Sequence, residues 1–177
     1  SALLNYSPAI VEAYYRQIPL LVLSADRPTE LIDQGDGQTI RQYGVYRNFI
    51  KSSHRLANHD VSDVLEESKP EITAAFSHLL SSPFGPVHLN IPLQEPLYGV
   101  SEYADFKIDF DLLPKSSKLE PNVNDLIRRV WKNSERKLVI VGQCDPDPGL
   151  MQIITELVND TSVAILVENT SNIQNFK

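Results

Sequence analysis

Two short apolar runs constrain this chain more than any other feature: Pro19-Leu20-Leu21-Val22-Leu23-Ser24 and Gly85-Pro86-Val87-His88-Leu89-Asn90-Ile91-Pro92. The first has no apolar-polar alternation, as expected of a parallel strand covered on both faces. The second reads as a buried strand bounded by prolines. Helical patterns stand ready to cover them. Residues 8–17 put Ile10, Ala13 and Tyr14 on one face, the spacing of a helix packed on a sheet, and Pro8 suits a first helical turn. Asp60-Val61-Ser62-Asp63 opens a longer pattern running to about Ser81, with Val64, Ile72, Ala75, Phe76 and Leu79 as its apolar stripe and Pro70 expected to bend it. A further strand is expected over Phe49 to Leu56. Residues 30–48, with Gly35 and Gly37, predict a loop followed by a short helix over Gln38-Thr39-Ile40-Arg41-Gln42.

Residues 93–121 change character, with Pro96, Gly99, Pro114, Ser116, Ser117 and Pro121 punctuating a stretch that has no sustained period. Beyond it, helix over 122–134, strand over 137–142, helix over 148–158 and strand over 162–167 give an αβαβ order. The expected fold class is α/β: the later part of one parallel-sheet domain over 1–98, a linker over 99–121, and the start of a second, Rossmann-like αβα domain over 122–177. Ser1 leads almost directly into a helical pattern, with no initiator methionine and no preceding strand, so the chain is expected to begin inside a domain.

Bulk properties exclude some partners. Hydrophobic residues make up 42% of the 177, enough for a buried core. The net charge of −7 argues against a polyanion-binding surface, so nucleic acid is not an expected partner. A single well-placed arginine can still bind a small carboxylate. One cysteine, Cys144, rules out an intramolecular disulfide framework and fits a reducing compartment, so cytoplasm is the expected location. No run approaches the roughly 20 apolar residues of a membrane span.

The most informative polar cluster is Ser24-Ala25-Asp26-Arg27-Pro28-Thr29-Glu30, at the carboxyl end of the first strand, where open α/β sheets place ligands. Arg27 there offers a guanidinium fork for a carboxylate or phosphate, or else pairs internally with Asp26, Glu30 or Asp33. Gly35-Asp36-Gly37-Gln38 can bring backbone and the Gln38 amide close to a ligand, although by itself the pattern favours an ordinary turn followed by a helix start. His54, His59, His78 and His88 have no metal-ligand spacing, and His78 and His88 read as structural. Ser7, Ser24 and Cys144 lie in no nucleophile motif, and the adjacent Glu66 and Glu67 read as solvated surface.

The runs Leu3-Leu4-Asn5-Tyr6-Ser7-Pro8-Ala9-Ile10-Val11-Glu12-Ala13, Val22-Leu23-Ser24-Ala25-Asp26-Arg27-Pro28 and Leu31-Ile32-Asp33 resemble the 2-succinyl-5-enolpyruvyl-6-hydroxy-3-cyclohexene-1-carboxylate synthase family of menaquinone biosynthesis. The similarity resumes at Gln38-Thr39-Ile40-Arg41-Gln42 and at Gly85 to Pro92, ending with Glu95-Pro96-Leu97-Tyr98. The rest of the chain matches mainly in its αβαβ order.

The resemblance implies a partial pyrimidine-binding domain of a thiamine-diphosphate enzyme, followed by a partial central domain. It implies a parent chain that decarboxylates 2-oxoglutarate and adds the succinyl unit to isochorismate, with thiamine diphosphate and magnesium as cofactors, as a homodimer or homotetramer. The glutamate that activates the cofactor and the ligands of diphosphate and metal would lie outside this segment, which is then inactive alone. Carried over residue by residue, Arg27 matches a substrate-binding arginine and Gln38 a catalytic amide beside the cofactor adduct. Asn5, with Ser1, lies near the cofactor-facing loop, although both suit a helix start equally well. The family often has asparagine where this chain has Gly37, which puts one polar contact in doubt. Another thiamine-diphosphate enzyme, acetolactate-synthase-like or an oxoacid decarboxylase, is one alternative. A non-catalytic α/β ligand-binding module is another.

Overall fold

The computed structural model describes residues 2–58, 63–94 and 119–173. The chain divides into two compact units, Ser1–Lys115 and Ser116–Lys177. Most of the expected linker lies outside the described residues, as do Asp60 to Ser62 at the expected start of the long helix.

In the first unit a 3-10 helix over Ala2–Tyr6 leads into α1, Ser7–Tyr15, with Pro8 in its first turn, where a missing N–H costs nothing. Gln17, in the left-handed region at φ 54°, ends the helix, and the Ile18 N–H reaches back to the Ala13 carbonyl at 2.8 Å. Strands β1 (Leu20–Asp26) and β2 (Ser52–Arg55) then form, followed by α2 (Val64–Leu79) and β3 (Pro86–Pro92). Asp63 caps α2 by accepting from the Glu66 N–H at 3.0 Å. Pro70 stands inside the helix. The described sheet has the order β1-β3-β2, all parallel, with Ser24 opposite Asn90 and Asp26 opposite Pro92.

Two apolar clusters cover the sheet, one on each face. Leu3, Ile10, Val22, Tyr46 and Ile50 form one, and Ala75, Leu79, Val87 and Leu89 form the other, with Ile72 and Phe76 of α2 packed against it. The stripe expected on the long helix therefore holds except at its start, where Val64 is 36% exposed. The helix expected over Gln38–Gln42 does not form. Asp33 (φ 66°), Gly35 (φ 78°) and Gln38 (φ 64°) all adopt left-handed backbone, incompatible with a continuing right-handed helix.

The second unit runs α3 (Pro121–Asn133), β4 (Lys137–Val141), α4 (Pro148–Leu157) and β5 (Val163–Val167), with β4 and β5 parallel and Val139 opposite Ile165. Asp147 caps α4 by accepting from the Gly149 and Leu150 N–H groups at 2.8 and 3.2 Å.

Candidate functional site

Parallel pairing brings the carboxyl ends of β1 and β3 to the same edge, and the chain leaving β1 curls through the 27–42 segment beside them. A cavity of about 460 Å3 opens there, lined by Tyr6, Leu23, Asp26, Arg27, Gln38 and Gln42 among others. Arg27 and Gln38, 11 positions apart in sequence, thus share one wall system. Asn5 is exposed and is not among the lining residues, while its neighbours Leu3 and Tyr6 are.

Arg27 Nε lies 3.2 Å from Asp36 Oδ2, with both side chains about one-third exposed. This partner differs from the three considered from sequence: Asp33 pairs instead with Arg41 at 2.8 Å, and Asp26 accepts from the Arg27 main-chain N–H at 2.9 Å. The Arg27–Asp36 pair ties the glycine-containing loop to the end of β1. Thr39 donates to the same Asp36 Oδ2 at 2.9 Å. Gln38 follows with its left-handed backbone, a conformation that costs a non-glycine residue about 1 kcal/mol. Such strain is characteristic of functional loops. A Cβ added at Gly37 would meet nothing within 4 Å, so close packing does not require glycine there.

Behind the cavity wall stands a buried polar network that sequence reasoning did not assemble. Asp26 is 5% exposed and accepts from Gln42 Nε2 at 2.9 Å, Asn90 Nδ2 at 2.7 Å and the Arg27 N–H. Gln42 Nε2 also donates to the Ala25 carbonyl at 3.0 Å. Its Oε1 has no hydrogen-bond partner among the described residues. Ser24 Oγ contacts Asn90 Oδ1 at 2.8 Å and His88 Nε2 at 2.7 Å. The signal for this network was available: Ser24 and Asp26 on one strand, and His88 and Asn90 on the other, are polar residues at alternate positions of apolar runs, hence on one face.

Burial pushes the His88 imidazole down to about 4 from 6.5, with the nearby Asp26 carboxylate opposing the shift, so the ring is neutral near pH 7. The sign of the pH dependence follows. Above pH 6.5 neither the folded nor the unfolded imidazole is protonated and the shift has no effect; below it the unfolded state gains a proton that the folded state refuses until about pH 4. Stability should therefore fall by up to about 2 kcal/mol between pH 7 and pH 5. His78, lowered by burial and by the neighbouring His54 and Lys51, acts in the same direction. Urea midpoints across that range check the prediction, and a flat profile would contradict it.

The other histidines lie elsewhere. His54 on β2 and His78 on α2 approach to 3.4 Å between ring nitrogens, with Ser52 Oγ within 2.9 Å of each and Glu71 at 2.9 Å from His54 Nδ1. Sequence spacing could not bring them together, because the pairing crosses from strand to helix. His59 lies outside the described residues. Among the described residues no group of three or more His, Cys, Asp or Glu side chains could hold a metal ion.

Comparison with known proteins decides the family. The chain is 46% identical over 177 residues to the 2-succinyl-5-enolpyruvyl-6-hydroxy-3-cyclohexene-1-carboxylate synthase of Flavobacterium psychrophilum, a match covering 98% of this chain and 30% of that protein. It is 42% identical over 176 residues to the synthase of the same name from Desulfotalea psychrophila, covering 98% of this chain and 33% of that protein. The chain belongs to this synthase family. It spans about a third of the length of the family members it matches. The fold is shared with an enzyme from Mycobacterium smegmatis described as thiamin diphosphate-dependent, at TM-score 0.58 and 16% identity, over 93% of this chain and 30% of that one. No protein-family model matches the chain. Membership in the synthase family accords with the resemblance carried by the β1-end, 38–42 and β3 motifs, of which the first two line the cavity while β3 stands beside β1 and only Leu93, just after it, reaches the wall.

Proposed function

We propose that this chain is the part of a menaquinone-pathway synthase that binds the acidic substrate beside thiamine diphosphate. Its first unit then belongs to the pyrimidine-binding domain and its second to the central domain. The observation that carries this reading is the convergence of Arg27 and Gln38 on one cavity at the carboxyl ends of β1 and β3. The parent enzyme would decarboxylate 2-oxoglutarate and transfer the succinyl unit to isochorismate, as a homodimer or homotetramer in the cytoplasm. Spanning about a third of its relatives, the chain by itself is expected to be inactive.

The cavity fits the ring portion of the cofactor. Leu3, Leu23 and Tyr6 offer apolar surface, and Asp26, Arg27, Gln38 and Thr39 bring polar groups to the same lining. The groups that would hold the diphosphate and magnesium are proposed to lie in other parts of the synthase. When bound, thiamine diphosphate supplies the electron sink for decarboxylation. This chain's part is to bind and orient. Arg27 neutralises and orients a substrate carboxylate, with Asp36 holding its Nε edge. Gln38 presents its amide to the reacting group, pre-set by the strained loop so that little reorganisation accompanies the change in charge. Asn5, exposed on the 3-10 helix below Tyr6, would reach the cofactor only from the rim.

A substrate panel tests the reading against other thiamine-diphosphate chemistry. The full-length synthase carrying this segment should turn over 2-oxoglutarate with isochorismate and leave pyruvate untouched. Preference for pyruvate, or for decarboxylation without an acceptor, would move the assignment to an acetolactate-synthase-like enzyme or an oxoacid decarboxylase.

A further inference from the structure

The hydrogen-bond directions behind the cavity are fixed by chemistry alone. Asp26 Oδ2 can only accept, so the Asn90 group 2.7 Å away is its amide nitrogen, and Asn90 Oδ1 must face Ser24. The Ser24 hydroxyl spends its one proton on Asn90 Oδ1, so its oxygen must accept from His88 Nε2 at 2.7 Å. The neutral ring then carries its proton on Nε2 and offers a bare Nδ1 to Ser53 Oγ at 3.4 Å. Ser53 Oγ in turn accepts from the Gly44 N–H at 3.1 Å. A single donor-to-acceptor sequence therefore runs from the turn at Gly44 through Ser53, His88, Ser24 and Asn90 to Asp26. His88 and Asn90 are both fully buried, and Ser24 is 6% exposed.

We propose that this chain of hydrogen bonds is a relay that fixes the Asp26 carboxylate, and through it the Arg27 main chain and the Gln42 amide, making His88 a positioning residue for the cavity. Every member is needed to pass the direction on, because Ser24 and His88 each have one proton to give. A cavity-filling role alone would make no such demand: it would ask only for volume between Tyr46, whose ring meets the imidazole edge-on at 6.2 Å between centroids, and β1. The relevance to substrate rests on the reading of the cavity given above, whereas the relay itself does not.

The two roles separate in paired variants of the 177-residue chain, read by NMR at the far end of the relay. His88→Phe keeps the ring volume and cannot donate; His88→Gln places an amide nitrogen near the position of Nε2 and can. The Arg27 amide proton, bonded to the Asp26 carboxylate, is the reporter. In His88→Phe it should shift upfield and exchange with solvent roughly tenfold faster, the effect of about one lost hydrogen bond. In His88→Gln it should stay near the wild-type position. Ser24→Ala, which breaks the relay without adding volume, should reproduce the His88→Phe result and decides the matter if His88→Phe does not fold. Equal responses to Phe and Gln, an unmoved Arg27 amide in Ser24→Ala, or ring nitrogen shifts showing the proton on Nδ1 would each overturn the relay. In the full-length synthase, His88→Phe should raise the KM for 2-oxoglutarate roughly tenfold and His88→Gln far less. Absence of any 2-oxoglutarate turnover there, with the NMR pattern intact, would count against the function and leave the relay standing.

Discussion

Arg27→Ala should raise the KM of the full-length synthase for its acidic substrate about 100-fold, the value of a charged hydrogen-bonded contact removed from a partly enclosed site. The effect on folding should be small. The side chain pairs with Asp36 but both are about one-third exposed, and such pairs contribute less than about 1 kcal/mol. Thermal melts on the preparation used for kinetics separate the two effects. Arg27→Lys should recover only part of the loss, since it restores the charge without the planar fork. A KM unchanged in a folded Arg27→Ala protein would remove Arg27 from substrate binding and leave it as a strut for the Gly35–Gly37 loop.

Gln38 should show the opposite kinetic signature. If it acts on the reacting group as proposed, its replacement should lower kcat about 100-fold while KM changes little. The left-handed backbone at Gln38 makes the choice of variant informative. Glycine adopts φ 64° without strain, so Gln38→Gly should hold or raise stability by up to about 1 kcal/mol while losing activity. Alanine should lose activity without that gain. An active Gln38→Gly enzyme would show that only the loop's shape matters.

The strands were legible because their chemistry is local. Leu20 to Leu23 and Val87 to Ile91 are apolar enough to mark strands, and the prolines at 86 and 92 mark the limits of β3; the expected cover on both faces fails in the carboxyl half of β1, where burial alternates and Leu23 is 56% exposed at the cavity. The stripe of α2 was legible for the same reason, apart from Val64, which lies beyond the reach of the sheet-facing cluster. The 38–42 segment reads as helix because Gln, Thr, Ile and Arg in succession carry no breaker; the left-handed turns at Asp33 and Gln38 are spanned by the Arg27–Asp36 and Arg41–Asp33 pairs, contacts between residues eight and nine apart that no helical period displays. Of the site, Arg27 and Gln38 were visible through family resemblance, and the structure places both at the cavity. Asn5 is not among its lining residues, because it lies on the exposed side of a 3-10 helix whose Leu3 and Tyr6 line the cavity. The network joining Asp26, Gln42 and Asn90 was not legible, because it arises from the register that sets Ser24 against Asn90 and from the return of the 27–42 segment onto the end of β1.

The central claim is that this chain supplies substrate-binding and amide groups to a 2-oxoglutarate-dependent synthase whose other catalytic parts lie elsewhere. Isochorismate consumption with 2-oxoglutarate, thiamine diphosphate and magnesium, measured side by side for the full-length synthase and for the 177-residue chain, tests it most directly. Turnover by the full-length protein and none by the chain is the predicted result. Turnover by the chain alone would contradict the account of where the catalytic groups lie, and a folded full-length protein that consumes no isochorismate would contradict the reaction itself.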